Sequence, residues 1–403
     1  MSKDIANMTS IDFTTDSYYQ NPYPTYHRLR QLKGAYWLEH EDDTGSGGMW
    51  MFSRYNDVVD ILRNSQSISL DTKRLTPEPE RTAFDYTLLH SDPPDHTRLR
   101  ALIAVPFSNS GVRKLEAAIG KMVDYLLDRM LESGDVEFQQ DFALPLPVMV
   151  ICELLGAPFE DAALLRNWSI DLVKGMDSTL ANDKLLKRRS TALAEMSAYF
   201  SDLLSRQQQP EETIIERLAS ASDAADCSPE EALGQCLLLL LAGHETTVNL
   251  LCNGLYTLLS NPLELEELRR SPGLIDAAID EMLRFESPLQ RTSFRVITDR
   301  CRIGGQEVEP GQCISAILAS ANRDPEQFPD PDRFDINRKP KRHVAFGVGI
   351  HRCLGERLAR TEAKIAFTRL LQRTPSMVLL TENPRWQSRS LFRALEALPL
   401  QLG

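Results

Sequence analysis

The sequence has no uninterrupted apolar run long enough to span a bilayer. Its longest, CLLLLLA at 236–242, falls far short of the ~20 residues a membrane helix needs. It does not open on basic residues followed by an apolar core either: MSKDIANMTSIDFTTDSYYQ is polar, which argues against a secretory leader. A soluble, cytoplasmic protein with no membrane partner is therefore expected. There is no CxxC pair. Seven cysteines (Cys152, Cys227, Cys236, Cys252, Cys301, Cys313, Cys353) are scattered along the chain, and an odd, dispersed set reads as reduced thiols, mostly small core residues. No repeat or low-complexity tract is present. The lack of a GxGxxG string and of strand–helix alternation excludes a Rossmann domain. Excess positive charge is also lacking. The net charge is −12 with a pI near 5.2, which excludes nucleic acid as a partner. The acidic residues are spread out and read as a solvated surface.

What remains is an ordinary globular composition, 42% apolar and 25% charged over 403 residues, enough for a large core. GAYWLEHEDDTGSGGMWMFSR at 34–54 predicts two short strands about a Gly-rich turn. YNDVVDILRN begins a helix. Residues 66–95 are loop-like. From about 96 to 286 the pattern is helical, broken by LPLP, GAPFED, QQQPEE and SNPLE. Residues 294–318 change period, with β-branched runs and a Gly-Gly hairpin turn. A Pro/Asp-rich stretch leads to a cysteine loop at about 345 and a last helix at about 355–372. The fold class is mainly α with small β-sheets.

The most informative helix is SPEEALGQCLLLLLAGHETTVNLLCNGLYTLLSN. Ser228 and Glu231 form a capping box with Pro229 at the first helical position, and Asn261-Pro262 is the next strong stop. Apolar nearly all round, it must be buried. Yet its middle reads Ala242-Gly243-His244-Glu245-Thr246-Thr247. A mid-helix glycine costs ~1 kcal/mol against alanine, and an unpaired buried carboxylate costs far more. Two explanations stand level. One is a satisfied polar layer, with Gly243 serving close helix packing. The other is that Gly243 admits a bulky planar ligand, with Thr246 and Glu245 supplying a hydroxyl and a proton source. A HExxH zinc site is excluded, because Val248 stands where the second histidine belongs.

Glu281 and Arg284 are three apart on a helix and share a face. They form either a surface pair or a structural ion pair. The loop AFGVGIHRCLGERLAR at 345–360 holds one cysteine, Cys353, among Gly347, Gly349 and Gly355. A thiolate ligand needs a depressed pKa, which the N-terminus of the following helix would supply. The glycines let the backbone run close beneath a flat cofactor. A single strong axial ligand suits haem better than zinc, which takes four. A lone cysteine is usually a core thiol; the whole string Phe346-x-x-Gly349-x-His351-x-Cys353-x-Gly355 speaks against that here.

At these residues the chain resembles the cytochrome P450 family of haem-thiolate monooxygenases, in particular the soluble bacterial class. FGVGIHRCLG fits the family's cysteine loop, AGHETT the oxygen-binding groove, and Glu281-x-x-Arg284 the ExxR motif, in the right order over roughly residues 90–360. The resemblance implies one domain over 1–403, with a long central helix above a buried haem b (iron protoporphyrin IX). Its strand-rich part would be about 34–54 and 294–318, its helical core about 96–286, and its ligand loop and last long helix about 345–372. Cys353 would be the axial ligand to iron, and Arg333 the third partner of Glu281 and Arg284. His96, Arg100, Arg295 and His351 would bind the propionates, which as buried carboxylates need cations or strong donors. Ala242, Gly243, Phe346, Gly347 and Gly355 would line the cofactor. Arg98 is expected to be a plain surface charge.

The resemblance further implies insertion of one atom of O2 into a C–H bond or across a double bond, the other atom becoming water. Thr246 would hydrogen-bond the bound dioxygen and Glu245 would relay protons. Substrate recognition would fall to residues at about 66–95, 166–185 and 289–294, with Leu238, Leu241, Ala242, Arg291 and Ser293 at the pocket. Leu-rich walls favour an apolar, medium-sized organic substrate such as a polyketide, terpenoid, steroid or fatty acid, as in secondary metabolism. The chain is expected to be a monomer that takes NAD(P)H electrons from a ferredoxin and ferredoxin reductase, or from a flavodoxin. The basic run NRKPKRH at 337–343, with Arg352, Arg357 and Arg360, would dock an acidic ferredoxin or is a solvated charge run. A peroxide-using peroxygenase and a non-catalytic haem sensor are the alternatives.

Overall fold

The computed structural model describes residues 11–32, 34–42, 45–74, 76, 78–176, 183–206, 213–339 and 342–403. The expected central helix is present as Pro229–Leu259, with the Ser228–Glu231 capping box formed at its start. Its 31 residues span roughly 45 Å at ~1.5 Å per residue. Around it pack Pro145–Leu155, Ala162–Met176, Asp183–Arg206, Ile275–Phe285 and the last helix Glu356–Arg373. Together they enclose one large apolar cluster that includes Leu237, Leu240, Leu251, Leu255, Ile279 and Phe367. By length and composition the central helix would pass as a membrane span, which no uninterrupted apolar run suggested. Its most apolar stretch is 78% buried inside the fold, so the burial that demands its composition is the protein core.

The strands expected at 34–54 and 294–318 join one sheet, which also takes in Ile68–Ser69 from the stretch expected to be loop-like. Tyr36–Asp42 pairs antiparallel with Gly45–Phe52, and Gly45–Phe52 runs parallel to Cys313–Ala316. Arg295–Ile297 and Ile68–Ser69 complete this five-stranded sheet. The Gly304-Gly305 hairpin is present, both residues with positive φ. A three-stranded sheet of Asp135–Glu137, Met377–Leu379 and Pro399–Leu402 was not anticipated. Its strands are too short to show a two-residue period.

The sheet places Arg295 opposite Ile314 and fixes the register of the chain that follows the ExxR helix. The segment 387–393 then returns to this wall: Leu391 O accepts from Gln290 N at 2.7 Å, and Pro288 O from Arg393 N at 2.8 Å. The C-terminal segment thereby lies between the expected substrate-recognition residues and the central helix, whose Asn253 Nδ2 donates to Arg393 O at 2.8 Å.

Candidate active site

The cysteine loop is built by backbone hydrogen bonds. Cys353 N donates to Phe346 O at 2.9 Å, Gly347 N to Val344 O at 2.9 Å, and Arg352 N to Gly349 O at 3.2 Å. Gly349 is obligatory on two grounds: its φ is +80°, and a Cβ there would lie 2.2 Å from Leu62 O. Gly347 also has positive φ, at +65°. The helix starts at Glu356, with Gly355 as its cap. Phe346 lies under Arg360, whose guanidinium sits 5.1 Å from the ring centre.

Cys353 is open to space at its surface, but many protein atoms surround the thiol. Burial pushes its pKa up to about 11, against the Gly355 and Glu356 N–H groups that pull it down. The helix N-terminus thus acts in the expected direction, and burial of the thiol outweighs it.

Beside the thiol stands a cluster of basic side chains. His96 and Arg100 are four apart on the helix Asp95–Ile103 and share a face. The His96 and His351 rings meet edge to face, with centres 4.3 Å apart. Arg295 is 7% exposed. Both ring nitrogens of His96, Nδ1 of His351 and Nε of Arg295 are buried with no hydrogen-bond partner. Burial, then the nearby His96, Arg295 and Arg100, push the His351 imidazole down to about 3. Burial holds Arg295 down to about 10 and lowers His96, with Arg100 adding to the effect. Orphaned buried polar groups and a buried guanidinium without a hydrogen-bonded anion are costly in a folded protein. The cluster has the chemistry of a receptor for buried carboxylates, and so fits the two propionates of a haem. Among the described residues no three His, Cys, Asp or Glu side chains gather to hold a bare metal ion.

On the central helix, Ala242 is exposed and Gly243 and Thr246 half-exposed, in a run that is otherwise buried. One face of the helix is therefore uncovered at these positions, flanked by Leu238 and Leu241 at 9% and 8% exposure. A Cβ at Gly243 would meet Ile151 Cδ1 at 2.9 Å, the movable end of a side chain, while Gly243 itself lies half-exposed next to Ala242, so close packing and room for a flat ligand are both served by the glycine. Thr246 Oγ1 donates to Ala242 O at 2.9 Å. His244 is fully buried and shares a 3.0 Å hydrogen bond with Ser169 Oγ; burial pushes it down to about 4.

Glu245 is 7% exposed and is held by two residues the sequence did not single out. Arg389 NH1 donates to Oε1 at 2.6 Å and Asn249 Nδ2 to the same oxygen at 3.2 Å. Asn249 was findable in principle. Glu245, Asn249, Asn253 and Thr257 recur every four residues, a polar seam along a buried helix. Arg389 lies 144 residues away and carries no local signal.

Glu281 and Arg284 form the structural ion pair: Nε and NH2 of Arg284 meet the two carboxylate oxygens at 2.7 Å each, with side chains 4% and 2% exposed. The expected third partner is corrected. Arg333 is exposed and offers only its carbonyl to Arg284, at 3.1 Å. The second guanidinium on Glu281 belongs to Arg338, at 3.1 and 3.2 Å. Arg98 is likewise no free charge, since it pairs with Glu231 at 2.6 Å. Ser293 is half-buried, and Arg291 NH2 donates to Ser390 Oγ at 3.1 Å. Of the expected recognition segments, residues 75, 77 and 177–182 lie outside the described residues.

The family model described as Cytochrome P450 matches residues 272–379. The chain is 39% identical to Cytochrome P450 monooxygenase PikC of Streptomyces venezuelae, over 97% of this chain and 92% of that one. Among solved structures, the myxobacterial cytochrome P450 CYP267B1 in complex with myristic acid superposes with a TM-score of 0.89 at 37% identity, covering 97% of this chain and 98% of that one. P450BioI, in complex with an acyl carrier protein ligated to hexadec-9Z-enoic acid, gives 0.88 at 34% identity, covering 96% and 99%. With whole-length relatives at this level of identity and a matching three-dimensional fold, the chain belongs to the cytochrome P450 family and is a haem-iron monooxygenase of the bacterial kind.

Proposed function

We propose that this enzyme, a single cytoplasmic domain, binds haem b with Cys353 as axial thiolate and with His96, Arg100, Arg295 and His351 on the propionates. It would hydroxylate or epoxidise an apolar, medium-sized substrate. The observation that carries this is the set of buried, partnerless nitrogens on His96, His351 and Arg295 beside the cysteine loop. When bound, the haem supplies activation of dioxygen, and a thiolate ligand favours O–O cleavage.

The chain's own groups would do the rest. Arg100 NH2 donates to Arg352 O at 2.9 Å and so ties the propionate side to the cysteine loop. Thr246 would hold a proton at Oγ1 and turn it from Ala242 O toward the reacting oxygen. Glu245 would refill that proton through water. Leu238, Leu241 and Ala242 form an apolar wall that excludes water from the reacting carbon. The fatty ligands of two structural neighbours support a substrate with a long alkyl portion within the expected class. Arg291, already bonded to Ser390, would have to give up that contact to meet a carboxylate.

Electrons would come from NAD(P)H through a ferredoxin or flavodoxin. The expected basic docking patch is smaller than its sequence suggests. Arg352 is held by Glu356, Arg360 by Asp280 and Glu356, His343 by Asp280, and Arg338 by Glu281. Lys341 lies outside the described residues. Lys339, Arg342 and Arg357 are exposed and would carry the attraction for an acidic partner.

Substitution Thr246→Ala tests the core of this reading. It should divert electrons to hydrogen peroxide and lower product per NAD(P)H on the order of tenfold, with substrate binding intact. Unchanged coupling would refute the role of Thr246. A substrate panel followed by the haem spin-state shift narrows the substrate class. Ferredoxin-supported turnover that ignores salt and the pair Arg342→Glu, Arg357→Glu would remove the docking surface.

A further inference from the structure

The ion pair on Glu245 has a geometry suited to more than neutralising a buried charge. Arg389 and Glu245 are buried together, with side chains 6% and 9% exposed and 2.6 Å between Arg389 NH1 and Oε1. Asn249 Nδ2 grips the same oxygen. Among the described residues, every hydrogen bond to Glu245 falls on Oε1 and Oε2 receives none. The carboxylate is thus pinned at one oxygen and open at the other. Asn249 Oδ1 is itself a buried acceptor without a donor, so the residue that grips Oε1 also carries a second group able to hold water.

Arg389 is itself held. Its segment is tied to the substrate wall through Gln290 N to Leu391 O at 2.7 Å and to the central helix through Asn253 Nδ2 to Arg393 O at 2.8 Å. Its own N–H donates to Gln387 O at 2.9 Å. A guanidinium on so fixed a backbone leaves Glu245 little choice of rotamer.

We propose that Arg389 is a positioning residue for proton delivery: it anchors Oε1 of Glu245 so that Oε2 is presented, through water, to Thr246. The inference rests on the reading that Glu245 relays protons. It adds that the relay is aimed from the C-terminal segment, so a residue 144 positions away in sequence sets how oxygen chemistry and electron use are coupled.

The test compares the holoenzyme with Arg389→Leu, Arg389→Lys, Glu245→Gln and the double variant Arg389→Leu/Glu245→Gln. Three quantities are read: peroxide formed per NAD(P)H, the solvent deuterium isotope effect on turnover, and the midpoint of thermal unfolding. Arg389→Leu should raise the peroxide share about tenfold and enlarge the isotope effect, with the substrate-induced spin shift unchanged. Arg389→Lys should restore most of the loss. The unfolding shifts of the two single changes should be non-additive, the double variant being no less stable than Arg389→Leu alone, because the stranded carboxylate is gone. If Arg389→Leu fails to fold, Arg389→Gln, which keeps a donor without the charge, gives the same readouts. Should Glu245→Gln uncouple turnover while Arg389→Leu and Arg389→Gln do not, or should the unfolding shifts add, the positioning role is wrong. If Glu245→Gln itself leaves coupling and isotope effect unchanged, the proton-relay reading falls and takes this inference with it.

Discussion

Two clusters of basic side chains sit inside this molecule, and they are finished to different degrees. At the ExxR site, Arg284 spreads its donors over Glu281 and the carbonyls of Asn322, Pro331 and Arg333, and Arg338 adds a second guanidinium on the carboxylate. None of these groups is left without a partner. Beside Cys353, His96 and Arg295 are buried and His351 is half-buried, yet four of their nitrogens have no hydrogen-bond partner. The first cluster is complete within the polypeptide. The second is complete only when something anionic enters. A buried charge network that stands unsatisfied marks a site; one that is satisfied marks a scaffold.

The comparison can be broken most severely at the scaffold. Glu281→Gln removes the anion under two arginines, and stranding a buried charge costs about 3–5 kcal/mol. Holoenzyme that unfolds at a clearly lower urea concentration is expected. A variant with unchanged stability would mean that the network is not structural. The receptor cluster should behave in the opposite way. Arg295→Leu removes an unpaired cation, so it should leave the haem-free protein as stable or more so. In the haem-loaded protein it removes a charge-assisted bond, each worth about 1.5–3 kcal/mol, and should speed haem loss about tenfold or more. A fall in haem-free stability would contradict the assignment of Arg295 to the cofactor.

A smaller effect should come from His244, which borders the site but belongs to neither cluster. Its folded pKa is about 4, below the ~6.5 of an unfolded chain. The unfolded state then binds the extra proton first, so stability is fully present above about pH 6.5 and falls as pH drops toward 4. Between pH 7.5 and 5 this amounts to ~2 kcal/mol. Urea unfolding across that range should show the slope in the wild type, and His244→Asn should lack that share of it. Parallel slopes would show that His244 does not make the difference.

How legible each region was follows from how far apart its partners lie. The central helix, its cap and the cysteine loop were readable because their signals are consecutive: Ser228 with Glu231, Pro229, and the glycines about Cys353. The Glu281–Arg284 pair was readable at three-residue spacing. The third partner was misplaced by five residues, because the irregular stretch around Arg333 and Arg338 has no period that says which arginine turns inward. The basic patch was overstated for a related reason. Composition counts Arg352 and Arg360 as free, while Glu356, four residues from each, holds both. Gly243 was ambiguous in sequence, because a mid-helix glycine reads the same whether it meets a neighbouring side chain such as Ile151 or leaves room for a ligand. Arg389 was invisible, since nothing local marks a cation that answers a carboxylate on a distant helix.

The claim beneath all of this is that Cys353 is the group that holds the metal. The absorption spectrum of the reduced, carbonyl-bound holoenzyme tests it most directly, in the wild type and in Cys353→His. The strongly red-displaced Soret band of thiolate coordination is expected in the wild type and should be lost in the variant while haem stays bound. An imidazole-type band in the wild type, or a red-displaced band that survives in Cys353→His, would contradict the account.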